Sequence, residues 1–144
     1  MGKKRIVKKE GNDTKSSTKA SGSSVSKKRV DSAILNVEST YNNTKLLLTY
    51  QKGNALAWSS SGSLGFKGAK KGTPFAAAKV GETLGAKALA MGVKEIVFIV
   101  KGVGSGRESS IRGFISKGNF DIKAIKDHTP VPHNGPRPPK PRRV

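Results

Sequence analysis

The chain has 144 residues, with 28 Lys and Arg against 9 Asp and Glu, a formal net charge of +19. An excess of that size adds self-repulsion to a compact state, so it points to a polyanionic partner, most often nucleic acid. The absence of Cys excludes disulfides, thiolate nucleophiles and Cys-based zinc sites.

Residues 1–29 read as a basic, flexible N-terminal extension. They hold ten Lys and Arg, two acids, many Ser and few apolar residues, chiefly Ile6, Val7 and Val25. Such a segment buries too little to offset its ordering entropy. No apolar stretch follows the basic start, so no secretory signal is expected. Ile6 stands where a myristoylation signal needs Ser or Thr. Lys is favoured over Arg, Glu10 and Asp13 intervene, and no amphipathic period appears, which argues against a transit peptide.

Apolar patterning begins at Val30. Ala33–Val37 reads as a first strand, and Tyr41-Asn42-Asn43-Thr44 has turn chemistry. Lys45–Tyr50 is a second strand, Gln51–Asn54 a short hairpin connection, and Ala55–Ser60 a third strand. These three form an antiparallel meander. Trp58 alternates with Ala57 along the third strand and is read as core. Residues 61–72 hold four Gly, three Lys and the single aromatic Phe66, the composition of a basic, flexible loop.

Thr73-Pro74 starts a helix, with Thr as N-cap and Pro at the first helical position. Ala77, Val80, Leu84, Ala88 and Met91 repeat at helical spacing, and Gly92 ends it. Gly81 and Gly85 inside it suggest close packing on the sheet. Lys94–Val100 is a fourth strand, and its continuous apolar run predicts burial on both faces. After a Gly-rich turn, Ser105 and Glu108 have the spacing of a capping box that opens a short helix with Ile111, Phe114 and Ile115 inward. Phe120–Lys126 is a fifth strand. The last sixteen residues hold six Pro and four Lys or Arg and should be extended, without core.

The order β-β-β-α-β-α-β predicts a single α/β domain over 30–128, with a five-stranded mixed sheet, two main helices and basic tails. Net charge is +8 over 1–29, +7 over 30–128 and +4 over 129–144, so all three parts are basic. The longest apolar run, Ile96–Val100, is far below the roughly 18 residues of a membrane span, and no membrane partner is expected.

Enzyme readings find little support. Gly102–Arg107 lies where a dinucleotide phosphate loop would, between strand and helix, but Arg107 occupies the sixth position in place of Gly. A tight turn, or a nucleic-acid phosphate at the helix N-terminus beside Arg107, fits better. Lys70-Lys71-Gly72-Thr73 has the letters of a mononucleotide loop in the wrong order. The core acids do not sit mid-strand at a sheet centre, where a two-metal nuclease would need them converging. His128 and His133 lie in or beside the Pro-rich tail with no third ligand near. No catalytic residue, metal or cofactor is expected.

Several segments together resemble the bacterial-type small-subunit ribosomal protein S-eleven family. They are Tyr41–Thr44, Gly53–Trp58, Gly65–Gly68, Thr73–Ala77, Val100–Gly102 through Gly106–Ser109, and Asp127–Val144, of which Thr129–Gly135 with Arg137–Lys140 is the most specific. The resemblance runs from about Val30 to the end. It implies a ribonuclease H-like α/β motif without catalysis, and a structural place in the platform of the small subunit, near the E site and the messenger exit. It implies small-subunit rRNA as partner, with the seventh, eighteenth and, in bacteria, twenty-first small-subunit proteins as neighbours and mRNA nearby. It also implies a component of the ribosome rather than a homo-oligomer, in a bacterial cytoplasm or alternatively a mitochondrion or plastid. The chain departs from the family in its longer, Ser-richer N-terminus, in Pro136 where Cys is common, and in His128 where Val is common. A free RNA- or DNA-binding regulator is the alternative, with a nucleotide-dependent or nuclease-like enzyme behind it.

On this reading, binding to RNA is chiefly electrostatic, and the two Gly-rich loops let backbone amides approach it. Lys67, Lys70 and Lys71 are expected at phosphates around the first loop. Phe66 either stacks on an unpaired base or packs against the sheet end. Asn42 and Asn43 serve at least as turn residues, and the resemblance implies RNA contact for them. Lys52, Thr73, Lys101, Gly104, Arg107 and Arg112 complete the expected core contacts. His133, Asn134, Arg137, Lys140, Arg142 and Arg143 are the expected contacts of the C-terminal tail, whose Pro residues lower the entropy lost on ordering.

Overall fold

In the computed structural model, residues 29–141 and 143 are described. Expectations for residues 1–28 and for Arg142 lie outside them. Strand β1 is Ser32–Ser39, β2 Thr44–Thr49 and β3 Ala55–Ser60. A short 3-10 helix, Gly68–Gly72, leads into helix α1, Pro74–Met91. Strand β4 is Glu95–Lys101, helix α2 Gly106–Ile115, and strand β5 Asp121–Asp127. The strands form one mixed sheet in the order β3-β2-β1-β4-β5. Only β2 runs against the others. This is the five-stranded mixed α/β sheet with two helices that the sequence predicts.

Local chemistry sets the helix ends. The Thr73 hydroxyl accepts from the Ala76 amide at 3.3 Å, Pro74 follows it, and Gly92 at φ 80° ends α1. At α2 the expected capping box does not form. Ser105 makes no side-chain cap and instead donates to the Gly72 carbonyl at 2.8 Å, while Glu108 pairs with Arg112 at 2.5 Å. The long-range acceptor reaches Ser105 first, because the loop before α1 is pressed against that helix end.

The crossovers β3–α1–β4 and β4–α2–β5 both travel the same way along the sheet. Right-handed connection therefore places both helices on one face. That face carries the core: Leu35, Val37, Leu46, Leu48, Ile96 and Phe98 from the strands meet Val80, Leu84, Ala88 and Phe114 from the helices. Each of these side chains larger than Ala88, once fully buried, contributes about 1.5–3 kcal/mol. Phe114 stands edge-on to Phe98, ring centroids 6.0 Å apart, and lies 4.8 Å from Phe120.

One layer of helices corrects three expectations. Strand β4 is buried on the helix face only; Val97 and Ile99 on the other face are half-buried. Trp58, expected in the core, is 63% exposed on that open face. Gly81 and Gly85 pack on α2, not on the sheet. A Cβ on Gly81 would lie 2.2 Å from the Ser110 carbonyl oxygen, and one on Gly113 would lie 2.3 Å from that of Ala78. The missing side chains let the two helices touch backbone to backbone.

Candidate nucleic-acid interface

Because β1, β3, β4 and β5 are parallel, their C-terminal ends fall on one edge of the sheet. In open α/β sheets this is the edge where ligands are bound. Four connections meet there: Thr40–Asn43 after β1, residues 61–72 after β3, the Gly102–Ser105 turn after β4, and the root of the C-terminal tail after β5.

Glycine lets these connections interlock. Gly102 has φ 95°, and a Cβ on it would lie 2.1 Å from the Ser39 carbonyl oxygen. Gly72 meets the Tyr41 carbonyl equally closely. The buried Ser61 hydroxyl lies within hydrogen-bond reach of the Asn43 Oδ1 (2.7 Å), the Lys71 carbonyl (2.8 Å) and the Thr44 amide (3.0 Å). The segment predicted as a flexible loop is thus folded, with a 3-10 helix over Gly68–Gly72 held to the first turn.

A second tie holds the root of the tail. Arg107 donates to the Gly102 carbonyl, to the Thr129 hydroxyl at 3.1 Å and to the Asp127 carboxylate. Asp127 also accepts from the Thr129 hydroxyl at 2.6 Å and its amide at 2.9 Å. These bonds, with the Thr129 hydroxyl the largest cause and the Arg107 guanidinium next, hold the Asp127 carboxyl well below the ordinary carboxylate range. The His128 amide donates to the Val100 carbonyl, so the tail leaves the sheet beside β4.

The sequence-derived site residues divide into groups. Asn42, Lys67, Lys70 and Lys101 are exposed on or beside this edge, and Lys71 is half-buried there. Among the described residues none of these four lysines has a carboxylate within ion-pair distance. Asn43, Thr73, Gly104 and Arg107 lie at the same edge but bond within the protein. The Gly104 amide, for one, donates to the Ser39 carbonyl at 2.9 Å. Lys52 sits in the β2–β3 hairpin at the opposite end of the sheet. Arg112 is exposed on α2 beside Glu108. His133, Asn134, Arg137, Lys140 and Arg143 lie on the exposed tail, where Asn134 turns the chain at φ 59°.

Phe66 is half-buried against Phe75, edge to face at 6.2 Å. Phe75 itself is 64% exposed, with Lys79 Nζ 5.7 Å from its ring centroid. Sequence reasoning passed over Phe75. The available signal was its place at the start of α1, off the apolar stripe. Ser61 and Ser105, which tie the loops together, carry no such signal, because their partners are remote in sequence. Among the described residues no three His, Asp or Glu side chains gather in a metal-binding cluster.

The family model described as Ribosomal protein S11 matches residues 33–143, from the second residue of β1 into the C-terminal tail. That span includes all of the sheet but Ser32, both helices and every connection at the loop edge. The chain belongs to the ribosomal protein S11 family, a family of small-subunit ribosomal proteins.

Proposed function

We propose that the protein is a structural constituent of the small subunit that binds rRNA in the platform, near the E site and the messenger exit, and supports assembly and translation. One observation carries this reading. The loop edge presents Lys67, Lys70, Lys71 and Lys101 without acid partners among the described residues, and the cationic tail leaves from that same edge. Unneutralised cations release condensed counterions when they meet phosphates, which makes binding favourable and strongly dependent on salt. The glycine-locked loops hold the lysines on a surface that needs little ordering on binding.

The reading divides the chain into a basic N-terminal extension over 1–29, an RNA-binding core over 30–128 and an RNA-binding C-terminal tail over 129–144. The seventh, eighteenth and, in bacteria, twenty-first small-subunit proteins are the proposed neighbours, and a cytoplasmic ribosome the proposed location, with a mitochondrial or plastid ribosome as the alternative. Catalysis is not part of the proposal: Glu38, Glu82, Glu95, Glu108, Asp121 and Asp127 each pair with a cation, Glu95 and Asp121 sharing Lys123, and no three of them gather among the described residues.

The test is binding of the full chain to the central domain of small-subunit rRNA between 50 and 200 mM salt, with sedimentation of the native protein. Expected are a steep fall of log affinity with log salt and co-migration with small subunits. A protein found mainly free in extract, or one that binds rRNA without salt dependence, refutes the reading.

A further inference from the structure

The open face of the sheet has no counterpart in the loop-edge site, and strand register arranges it in rows. Direct pairing lines up Trp58, Leu47, Asn36, Ile99 and Lys126 across all five strands. One step toward the loop edge, the row is Ser60, Lys45, Glu38 and Lys101. Between these rows lies an open depression of about 600 Å³, within the size range of small-ligand clefts. Trp58 and Leu47 form its apolar part, Lys45 and Lys101 its cationic part, and Glu38 lies between the two lysines. Both helices lie on the other face, so no described element covers it.

We infer that this depression is a stacking site for an unpaired nucleotide of single-stranded RNA, with the base on the Trp58 ring and its phosphates at Lys45 and Lys101. The inference rests on the rRNA-binding reading and extends it to a second face of the protein. Three observations favour RNA over a protein partner. Trp58, on the edge strand β3 and 63% exposed, offers a free ring face beside cations, the combination that single-strand binding uses. Charge is complementary: Lys101 has no acid partner among the described residues, and Lys45 meets Glu38 only at 3.8 Å with both side chains exposed. The depression is also continuous with the loop edge, because Lys101 directly precedes Gly102 and Ser60 directly precedes Ser61. A strand crossing that edge reaches the depression beside Lys101, with the Glu38 carboxylate between Lys101 and Lys45.

Trp58 is the single tryptophan of the chain, so its fluorescence reports this face alone. The experiment titrates the full chain with hexauridylate, whose bases are already unstacked, and with a short RNA duplex and an acidic peptide at matched charge. Saturable quenching by hexauridylate and none by the duplex is expected. Trp58→Ala should weaken hexauridylate binding by about 5- to 150-fold, the range of base-on-aromatic stacking, while Trp58→Phe retains most of the affinity. Lys101→Ala should lower the salt slope by about 0.7, one single-strand phosphate contact. Circular dichroism checks that each variant is folded. If anisotropy shows bound RNA while Trp58 emission and the affinity of Trp58→Ala stay unchanged, the inference fails and the rRNA-binding reading stands. Quenching by the acidic peptide and not by RNA makes the face a protein surface and overturns the inference. No RNA binding by any readout overturns both.

Discussion

Gly102→Ala tests whether the loop edge is locked as described, and Gly53→Ala is its internal control. Both glycines have positive φ, 95° and 91°. An L-residue in that region costs about 1–2 kcal/mol. The two sites differ in surroundings. A Cβ on Gly53 meets nothing within 4 Å, whereas one on Gly102 falls 2.1 Å from the Ser39 carbonyl oxygen and 2.9 Å from its carbon. Those atoms are backbone of β1 and cannot swing aside, so β1 and the β4–α2 turn must separate. Overpacking of that kind adds about 1–3 kcal/mol. The expected loss for Gly102→Ala is therefore about 2–5 kcal/mol, against about 1–2 for Gly53→Ala. Urea unfolding followed by circular dichroism measures both. rRNA affinity supplies the functional arm: Gly102 adjoins Lys101 and accepts from Arg107, while Gly53 lies at the far end of the sheet. Affinity should fall for Gly102→Ala and hold for Gly53→Ala under conditions where both are folded. Equal destabilisation of the two variants, with rRNA affinity unchanged in both, refutes the idea that close backbone contact shapes the edge.

Deleting residues 130–144 removes four cations and no acid while leaving Thr129 and its bonds in place. At about 0.7–0.9 per phosphate contact, the salt slope of rRNA binding should drop by about 3, and an unchanged slope in filter binding counts against the tail as an RNA arm. Asp127→Asn should lower the urea midpoint more at pH 6 than at pH 2. The folded carboxyl lies below its ordinary value of 3.8, so its contribution is full above that value and is lost as pH falls through the folded pKa. A wild-type-to-variant difference that does not change with pH would sink this account. Phe98→Ala, at a fully buried ring between sheet and helices, should cost about 3–5 kcal/mol in the same assay, and a loss under 1 kcal/mol would mean that the core lies elsewhere.

Elements and their ends were legible because local chemistry decides them. Thr73-Pro74 and Gly92 bound α1 as their residue types require. Apolar patterning and turn residues found all five strands to within a residue or two of their observed ends. What the sequence left open depends on which face a partner covers. Ala57 and Trp58 alternate across β3, and nothing local says which side the helices take; the edge position of β3 leaves Trp58 uncovered. The apolar run of β4 looked buried on both faces, although its outward residues are only half-covered. The capping-box letters at Ser105 and Glu108 were right in spacing, yet a carbonyl 33 residues away captured the hydroxyl. The candidate site was legible as a set of segments. Its division was not: Lys52 and Lys101 look alike in sequence and sit at opposite ends of the sheet.

The placement of acids is the clearest link between fold and role. Six of the seven acids in 30–128 lie within ion-pair distance of a Lys or Arg among the described residues. Five of the six pair away from the lysines of the loop edge: Glu38 across the open face, Glu82 along α1, Glu108 on α2, and Glu95 with Asp121 at the start of β4 and β5. Exposed pairs of this kind contribute little stability. Their effect is on the charge map: Lys45, Lys79, Arg112, Lys117 and Lys123 are paired locally, whereas Lys67, Lys70, Lys71 and Lys101 at the loop edge are not. The exception is Asp127, which stands at the edge itself. It binds Arg107 and Thr129, so the one acid admitted there fixes the root of the tail and leaves Lys67, Lys70, Lys71 and Lys101 uncompensated. A chain with the same net charge but acids beside those lysines would keep this fold and lose the directed field that makes the edge a place for phosphates.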